Sequence, residues 1–413
     1  MNVKALQRAD RWMGIPLCFI FTAFRYLFGR SARRDSPPPR RLLIVKLAEQ
    51  GSTVLAYPAL RRAVEIAGRE NVYFIAFEDN RFILDALNVL PEQNVVTVSV
   101  ENAAVFVRSL LSALLRLRRL RLDAVVDMEF FSRGSAVLSF LSGAKRRAGF
   151  HAFFGAGPYR GNLMTHRLLY NAHLHTTQTF LTLVEALLRD PATLPTFSPP
   201  PPAGPAEGPL FVPDPTELAE VRAMLRRETD GQPPLILLNP NASDLLPLRR
   251  WPAERYLELA GRLLAKYPEV CVALTGAPNE AAAVGELARR AASRRCVSLA
   301  GKTTLRQLLA LYTLAKVLVT NDSGPAHFAT LTPIRVVTLF GPETPELFAA
   351  RTPRNTALWA GIPCSPCVNA YNNRQSPCRD NQCMQALTVD QVFAAACRAY
   401  ERKEMQQGRE VYR

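Results

Sequence analysis

The chain has 413 residues, 48% of them hydrophobic and 21% charged, a balance that excludes a disordered polymer and supplies two separately packed domains. Its formal net charge of +16, from 51 Lys and Arg against 35 Asp and Glu, favours polyanionic partners: nucleic acid, an anionic membrane or a phosphorylated substrate. No RNA-binding aromatic signature or finger spacing occurs, which puts nucleic acid last, and eight unevenly placed cysteines do not make a secreted disulfide scaffold.

Residues 12–24 form an apolar run, preceded by Lys4, Arg8 and Arg11 and followed by Arg25, Arg30, Arg33 and Arg34. The run is shorter than the roughly 20 residues that span a bilayer, and it lacks a small-residue cleavage site. Apolar and aromatic residues in a basic frame suit a helix lying on an anionic membrane surface. The competing expectation is a helix packed on the protein's own core, and a tilted single span stays open. Residues 1–40 are thus an N-terminal helix and a linker, ending in the stiff Ser36-Pro37-Pro38-Pro39.

From residue 41, short β-branched runs alternate with helical periodicity. Strands are expected at 41–46, 72–77, 95–98 and 123–127, and helices at 54–67, 82–87, 103–117 and 134–141. Such alternation implies a parallel sheet covered on both faces. The clusters Arg116, Arg118, Arg119, Arg121 and Lys145, Arg146, Arg147 read as solvated surface, with an acceptor-phosphate or membrane-facing role as the alternative. A helix is expected from the stretch 170–178 to 188. His173 and His175 inside it, at i and i+2, would share a face only in a strand or loop, as a metal pair or the wall of a cleft. The proline-rich run 199–209 can be neither helix nor central strand and divides an N-terminal domain, 41–198, from a second, 210–390, before a C-terminal helix, 391–413. The second half repeats the pattern, with strands at 235–239, 270–275, 297–299, 317–320 and 336–340. The fold class is therefore α/β, two doubly wound Rossmann-like domains facing a cleft, with ligand at the carboxyl ends of the strands.

Four turns lie at such strand ends: 239–243 with Arg249-Arg250-Trp251-Pro252 after it, 275–280, 300–304 and 321–327. The last is a strand, the polar turn Asn321-Asp322-Ser323-Gly324, and a helix opened by Pro325 with His327 in its first turn, a geometry suited to a diphosphate. Gly301-Lys302-Thr303 is not a P-loop, because the glycine that motif needs upstream is missing.

These pieces resemble glycosyltransferase family 9, the heptosyltransferases of the lipopolysaccharide inner core. The resemblance runs over about residues 41–395 and rests on Pro58-Ala59-Leu60, Arg249-Arg250-Trp251-Pro252, Thr275-Gly276 with Glu280, 299–303, 321–327 and Leu339-Phe340-Gly341-Pro342. It implies the two-domain GT-B fold and an inverting transfer that requires no metal. The donor would be a nucleotide sugar such as ADP-heptose, and the acceptor a lipid-linked glycan at the cytoplasmic face of the bacterial inner membrane. Asn239, Ser243, Arg249, Thr275, Gly276, Glu280, Asp322, Ser323, Gly324 and His327 would bind the donor, with Arg249 facing the phosphates and Glu280 near the ribose or base. A hexosyltransferase on the same fold, or a non-catalytic sugar-nucleotide binder, are the alternatives.

The family's first loop carries an Asp that acts as base toward the acceptor hydroxyl, and here that position is Ser52. A serine hydroxyl is far too weak a base at neutral pH, which moves the role to Glu49, with Asp127 or Glu129 as the other carboxylates available and loss of catalysis as the third reading. Cys364, Cys367, Cys378 and Cys383 are spaced C-x2-C-x10-C-x4-C. That spacing fits a closed tetrahedral zinc site, reduced buried thiols, or a pair of disulfides.

Overall fold

The computed structural model describes residues 3–28, 37–155, 157–195, 208–242 and 246–402. The chain opens with α1 (Val3–Trp12) and α2 (Gly14–Phe28), two helices separated by a turn at Met13. The first domain then runs β1 (Leu42–Val45), α3 (Gln50–Leu55), α4 (Tyr57–Ala67), β2 (Val72–Phe77), α5 (Arg81–Leu87), β3 (Val95–Val98), α6 (Ala103–Arg119), β4 (Ala124–Asp127), α7 (Arg133–Leu141), β5 (Arg146–Phe150), β6 (His166–Leu168) and α8 (Thr176–Ala186). All six strands are parallel, in the order β3-β2-β1-β4-β5-β6.

The second domain runs α9 (Pro215–Glu228), β7 (Leu235–Asn239), α10 (Ala253–Lys266), β8 (Cys271–Leu274), α11 (Ala281–Arg290), β9 (Cys296–Ser298), α12 (Leu305–Leu314), β10 (Val317–Asn321), α13 (Gly324–Ala329), β11 (Arg335–Phe340), α14 (Pro345–Phe348), β12 (Asn355–Trp359), α15 (Gln382–Gln385) and α16 (Val389–Glu401). Its parallel sheet, β12-β11-β10-β7-β8-β9, repeats the first one's order strand for strand. The central strands β1, β4, β7 and β10 are buried along their whole length, which is why they read as continuous apolar runs. In both sheets the strand order reverses between two central strands, β1 and β4, then β7 and β10, and crevices open at those points.

Several expectations need correction. The single helix at 54–67 is two, α3 and α4, joined at Ala56 just ahead of Pro58, and α3 starts four residues sooner. The helix placed from 170 starts only at Thr176, N-capped by His175. The C-terminal helix is not an appendage: in α16, Val392, Ala395, Ala396 and Cys397 lie in the core of the second domain.

The N-terminal helices follow the competing expectation on one side, where they pack on the protein's own first domain. The inner side of α2 packs on α7 through Leu17, Cys18 and Phe21, against Ala136, Val137, Leu163 and Met164. Asp10 of α1 accepts from Gly134 N and Ser132 Oγ, so it caps the start of α7. Arg25 is not a free basic flank; it donates to Asn162 and to Met164 O. Trp12, Met13, Ile15, Phe19, Ile20, Phe24, Tyr26 and Leu27 nevertheless remain exposed on the other side. No helix among the described residues is long and apolar enough to cross a membrane.

Candidate active site

The loop after β1 enters the cleft with Glu49 in the left-handed region (φ 67°) just before α3, a conformation that is uncommon for a residue with a side chain. Ser52 Oγ donates to Glu49 O at 2.9 Å and to Glu49 Oε2 at 3.2 Å. Behind them Lys46, fully buried, lies 3.7 Å from Glu49 and 3.2 Å from Glu129. Glu129 is engaged otherwise: its Oε1 accepts from Leu47 N and Ala48 N, so it holds the loop in shape. Asp127, the other carboxylate considered, is buried with Arg160 and Ser135 and faces its own domain. Glu49 is thus the carboxylate this loop presents to the cleft.

Across the cleft, α3 packs directly on α13. A Cβ on Gly51 would stand 2.5 Å from His327 Cδ2, so only glycine lets the two helices meet here. At six residues α13 is too short for much of a dipole, and the charge comes instead from side chains. Arg249 lies 3.6 Å from Asp322 Oδ2 and is hydrogen-bonded to Glu343, which follows β11 and is 1% exposed. Arg374 pairs with Glu343 at 3.3 Å and with Glu49 in the other domain, its guanidinium flanked by the rings of Phe130 and Phe348 at 5.7 and 5.0 Å. Seven groups therefore form an alternating chain from one domain to the other: Glu129, Lys46, Glu49, Arg374, Glu343, Arg249, Asp322.

Burial works against the charge on Glu49, but Arg374, Lys46 and Arg249 together with the Ser52 hydrogen bond hold its carboxyl down at about 2. Burial raises Glu343, against the pull of Arg249 and Arg374. Burial, with Arg249 adding to it, pushes His327 down to about 4, so it is a neutral imidazole at pH 7. Its Nδ1 has no hydrogen-bond partner, and neither do Arg249 Nε, Asp322 Oδ2 or Glu343 Oε1. Buried polar atoms are ordinarily satisfied; here Arg249 Nε and Asp322 Oδ2 have each other only as an ion pair at 3.6 Å, and Glu343 Oε1 has Arg374 at 3.3 Å.

The remaining residues expected at the donor site sit at neighbouring strand ends. Asn239 donates to Thr275 Oγ1 at 3.3 Å, and Asn241 donates to Thr275 O at 3.3 Å. Gly276 lies between Asn241 and Glu280: a Cβ there would be 2.7 Å from Asn241 Nδ2 and 3.1 Å from Glu280 Oε2. Glu280 accepts from Ala277 N at 2.7 Å and holds its own turn. Ser323 Oγ donates to Asn321 O, and Asn321 ties the turn to Pro240 O and Asn241 O. Ser243 lies outside the described residues. Lys302 is not part of this group; it pairs with Glu228 at 2.6 Å, away from the cleft.

At the positions considered for a metal, the described residues gather no ligand set. Among the described residues no group of three or more His, Cys, Asp or Glu could hold a metal ion. Cys364 and Cys378 are exposed, Cys367 is partly so, and Cys383 is buried in α15, all of them free. The histidine pair does not form either: His175 is buried, its Nδ1 accepting from Thr177 N and its Nε2 bonded to Ala349 O.

Three residues of the site had escaped sequence reasoning: Glu343, Arg374 and Lys46, which read only as the end of a strand. Glu343 stands at the end of a strand, Leu339-Phe340-Gly341-Pro342-Glu343, and that position was its one signal. Arg374 had none. It rides on the cysteine-bearing loop with φ 55°, and the loop reaches the first domain where Tyr371 OH donates to Tyr170 O.

The description of glycosyltransferase family 9 (heptosyltransferase) matches residues 111–376. Lipooligosaccharide heptosyltransferase 2 of Haemophilus influenzae is 33% identical over 144 residues, 33% of this chain and 40% of that protein. Lipopolysaccharide heptosyltransferase 2 of Salmonella typhimurium is 36% identical over 116 residues, 27% of this chain and 32% of that protein. The matched stretches thus span less than half the length of these curated relatives. In fold, the chain is similar to ADP-heptose lipopolysaccharide heptosyltransferase II of E. coli (TM-score 0.64, 19% identity, 87% of this chain and 98% of that one). It is also similar to the family 9 glycosyltransferase of Veillonella parvula (TM-score 0.65, 17% identity, 90% of this chain and 99% of that one). With two parallel six-stranded sheets, a cleft between them and a family match over more than half its length, the chain belongs to glycosyltransferase family 9.

Proposed function

We propose that the chain is an inverting sugar transferase that moves heptose from a nucleotide diphosphate donor, ADP-heptose above others, to a lipid-linked acceptor in lipopolysaccharide synthesis. The observation that carries this reading is the meeting of Glu49, from the acceptor-side loop, with Arg249, Asp322 and His327 of the donor-side turns across one cleft. In the proposed step Glu49 takes the proton of the acceptor hydroxyl as that oxygen attacks the sugar's anomeric carbon. Arg249 and Arg374 meet the negative charge that builds on the departing diphosphate, so the protein's own cations stabilise the leaving group. Asn239, Thr275 and Glu280 stand at the adjacent strand ends, where the nucleoside would lie. A protein similar in fold, E. coli heptosyltransferase WaaC, is described with ADP, which supports a nucleotide donor of this kind. The exposed apolar side of α1 and α2 suits peripheral attachment to the inner membrane, where a lipid-linked acceptor resides.

The test is release of nucleoside diphosphate from ADP-heptose, UDP-hexose and GDP-hexose in the presence of lipid-linked core acceptor. Turnover with ADP-heptose alone supports the reading, and turnover with a hexose donor replaces the sugar but keeps the reaction. Binding without turnover of any donor overturns it in favour of a sugar-nucleotide binder, the reading that serine at position 52 favours.

A further inference from the structure

We propose that Glu343 is the proton-accepting residue of the donor site, taking up a proton from solvent when a nucleotide sugar's diphosphate moves in between Arg249 and Arg374. This rests on the donor reading given above. The alternating chain of charges holds three cations, Lys46, Arg249 and Arg374, and four carboxylates, Glu49, Glu129, Asp322 and Glu343, an excess of one negative charge. The diphosphate of a nucleotide sugar carries two more. A buried cluster that is already negative does not gain by admitting a dianion unless some negative charge is removed.

Glu343 is where that charge can be removed. It sits between the two guanidiniums, hydrogen-bonded to Arg249 through Oε2 and ion-paired with Arg374, whose Nε lies 3.3 Å from Oε1, which is the place a diphosphate must take to engage both. Once those cations turn to the phosphates, a carboxylate that is 1% exposed faces Asp322 with no counter-ion. Leaving a buried charge unpaired is far more costly than neutralising it. The other groups that face Glu343 add no counter-charge. They are Asp322 from the β10 turn, the neutral His327 of α13, and Tyr170 of the first domain. Glu49 keeps Lys46 and is partly exposed, and Glu129 keeps Lys46 and the amides of Leu47 and Ala48, so both have less need to protonate. Burial already raises Glu343 while both arginines still hold it. One O–H bond breaks in the solvent's hydronium or buffer acid and one forms on Glu343, and the N–H groups of Arg249 and Arg374 that faced Glu343 turn to the diphosphate.

The test is titration calorimetry of the full chain with ADP-heptose, UDP-glucose and GDP-mannose, diphosphate diesters that do not titrate near neutral pH, in buffers of different ionisation enthalpy. The wild type is expected to take up about one proton per bound nucleotide sugar, its affinity falling by up to about tenfold for each unit of rising pH. In Glu343→Gln the uptake should vanish and binding should be at least as tight and nearly independent of pH. Melting temperatures verify that the variant is folded. Binding by the wild type without proton uptake overturns the inference and leaves the donor reading standing. Uptake that persists in Glu343→Gln but is lost in His327→Gln also overturns it and assigns the proton to His327. Failure of all three nucleotide sugars to bind overturns the donor reading and this inference with it.

Discussion

Ser52 Oγ donates a hydrogen bond to Glu49 Oε2 at 3.2 Å. The residue at the family's aspartate position thus serves a carboxylate three residues away. An Asp at 52 would bring a second negative charge against Glu49, whereas a serine supplies a donor that steadies it. In the proposed mechanism the base is Glu49, the carboxylate this loop presents to the cleft. Glu49→Gln is expected to lower turnover by about 10²- to 10⁴-fold, the usual worth of a positioned base, with donor affinity close to wild type. Ser52→Ala removes a single hydrogen bond to a charged group and should lower turnover only about tenfold. Steady-state rates with a calorimetric donor titration measure both. Unchanged turnover in Glu49→Gln would remove Glu49 from the mechanism.

Arg249 serves two carboxylates as well as the proposed diphosphate, so its variants should separate structure from binding. Arg249→Ala strands Glu343 and Asp322 in a buried place, and breaking such a pair costs about 3–5 kcal/mol of stability. Arg249→Lys keeps a charge but loses the planar fork. It should fold near the wild-type melting temperature and weaken nucleotide-sugar binding by about 10- to 100-fold. Binding by Arg249→Lys as tight as wild type would place the phosphates elsewhere.

Gly51 fixes how closely the domains meet. Gly51→Ala puts a methyl group 2.5 Å from the His327 ring, and since α3 and α13 belong to different domains, relief requires the cleft to part. Overpacking of this kind costs about 1–3 kcal/mol. The melting temperature should fall and turnover with it, while the two sheets stay intact by circular dichroism. A variant with wild-type turnover would show that this contact does not set the site.

Acid should weaken the fold through its buried histidines. Burial pushes His166, His175 and His327 each down to about 4, below the ordinary value near 6.5. Above pH 6.5 these groups are neutral in both the folded and the unfolded chain and the fold keeps its full stability. As pH falls toward 4 the unfolded chain takes up protons that the folded chain refuses, and stability declines. Glu49, held at about 2, adds a loss that begins near its unperturbed value of 4.5 and is complete below 2. Chemical denaturation from pH 8 to 4 should show the decline starting near 6.5, and His327→Gln should flatten part of it.

The central strands were legible because burial on both faces leaves only apolar, β-branched residues in them, as in Val317-Leu318-Val319 and Leu42-Leu43-Ile44-Val45. The edges were not. β5 begins with Arg146 and Arg147, and Arg147 is buried and bonds the carbonyls of Leu163 and Ala144, so its charge masked a strand. β12, half-buried at the sheet's edge, has no continuous apolar run. The donor-side turns followed from strand ends and motif order. Arg374 could not follow from either, because its position depends on a loop that folds back over the first domain, and no local pattern records such a contact.

The outer side of α2 carries the final prediction. Ile15, Phe19, Ile20, Phe24 and Leu27 are exposed on one helix, while Asp10, Thr22 and Arg25 fasten the helix pair to the domain through polar bonds on the inner side. A helix held this way can lie on a lipid surface without leaving its own protein. Sedimentation with anionic phospholipid vesicles should carry the wild type down, less so at high salt as the basic contribution is screened. Phe19→Glu with Ile20→Glu should stay in solution with an unchanged melting temperature, and their turnover on a detergent-solubilised acceptor should match wild type. Arg25→Ala, which loosens the dock to Asn162 and Met164, should lower the melting temperature instead. Vesicle binding that survives the double glutamate variant would show that this face is not the one that meets the membrane.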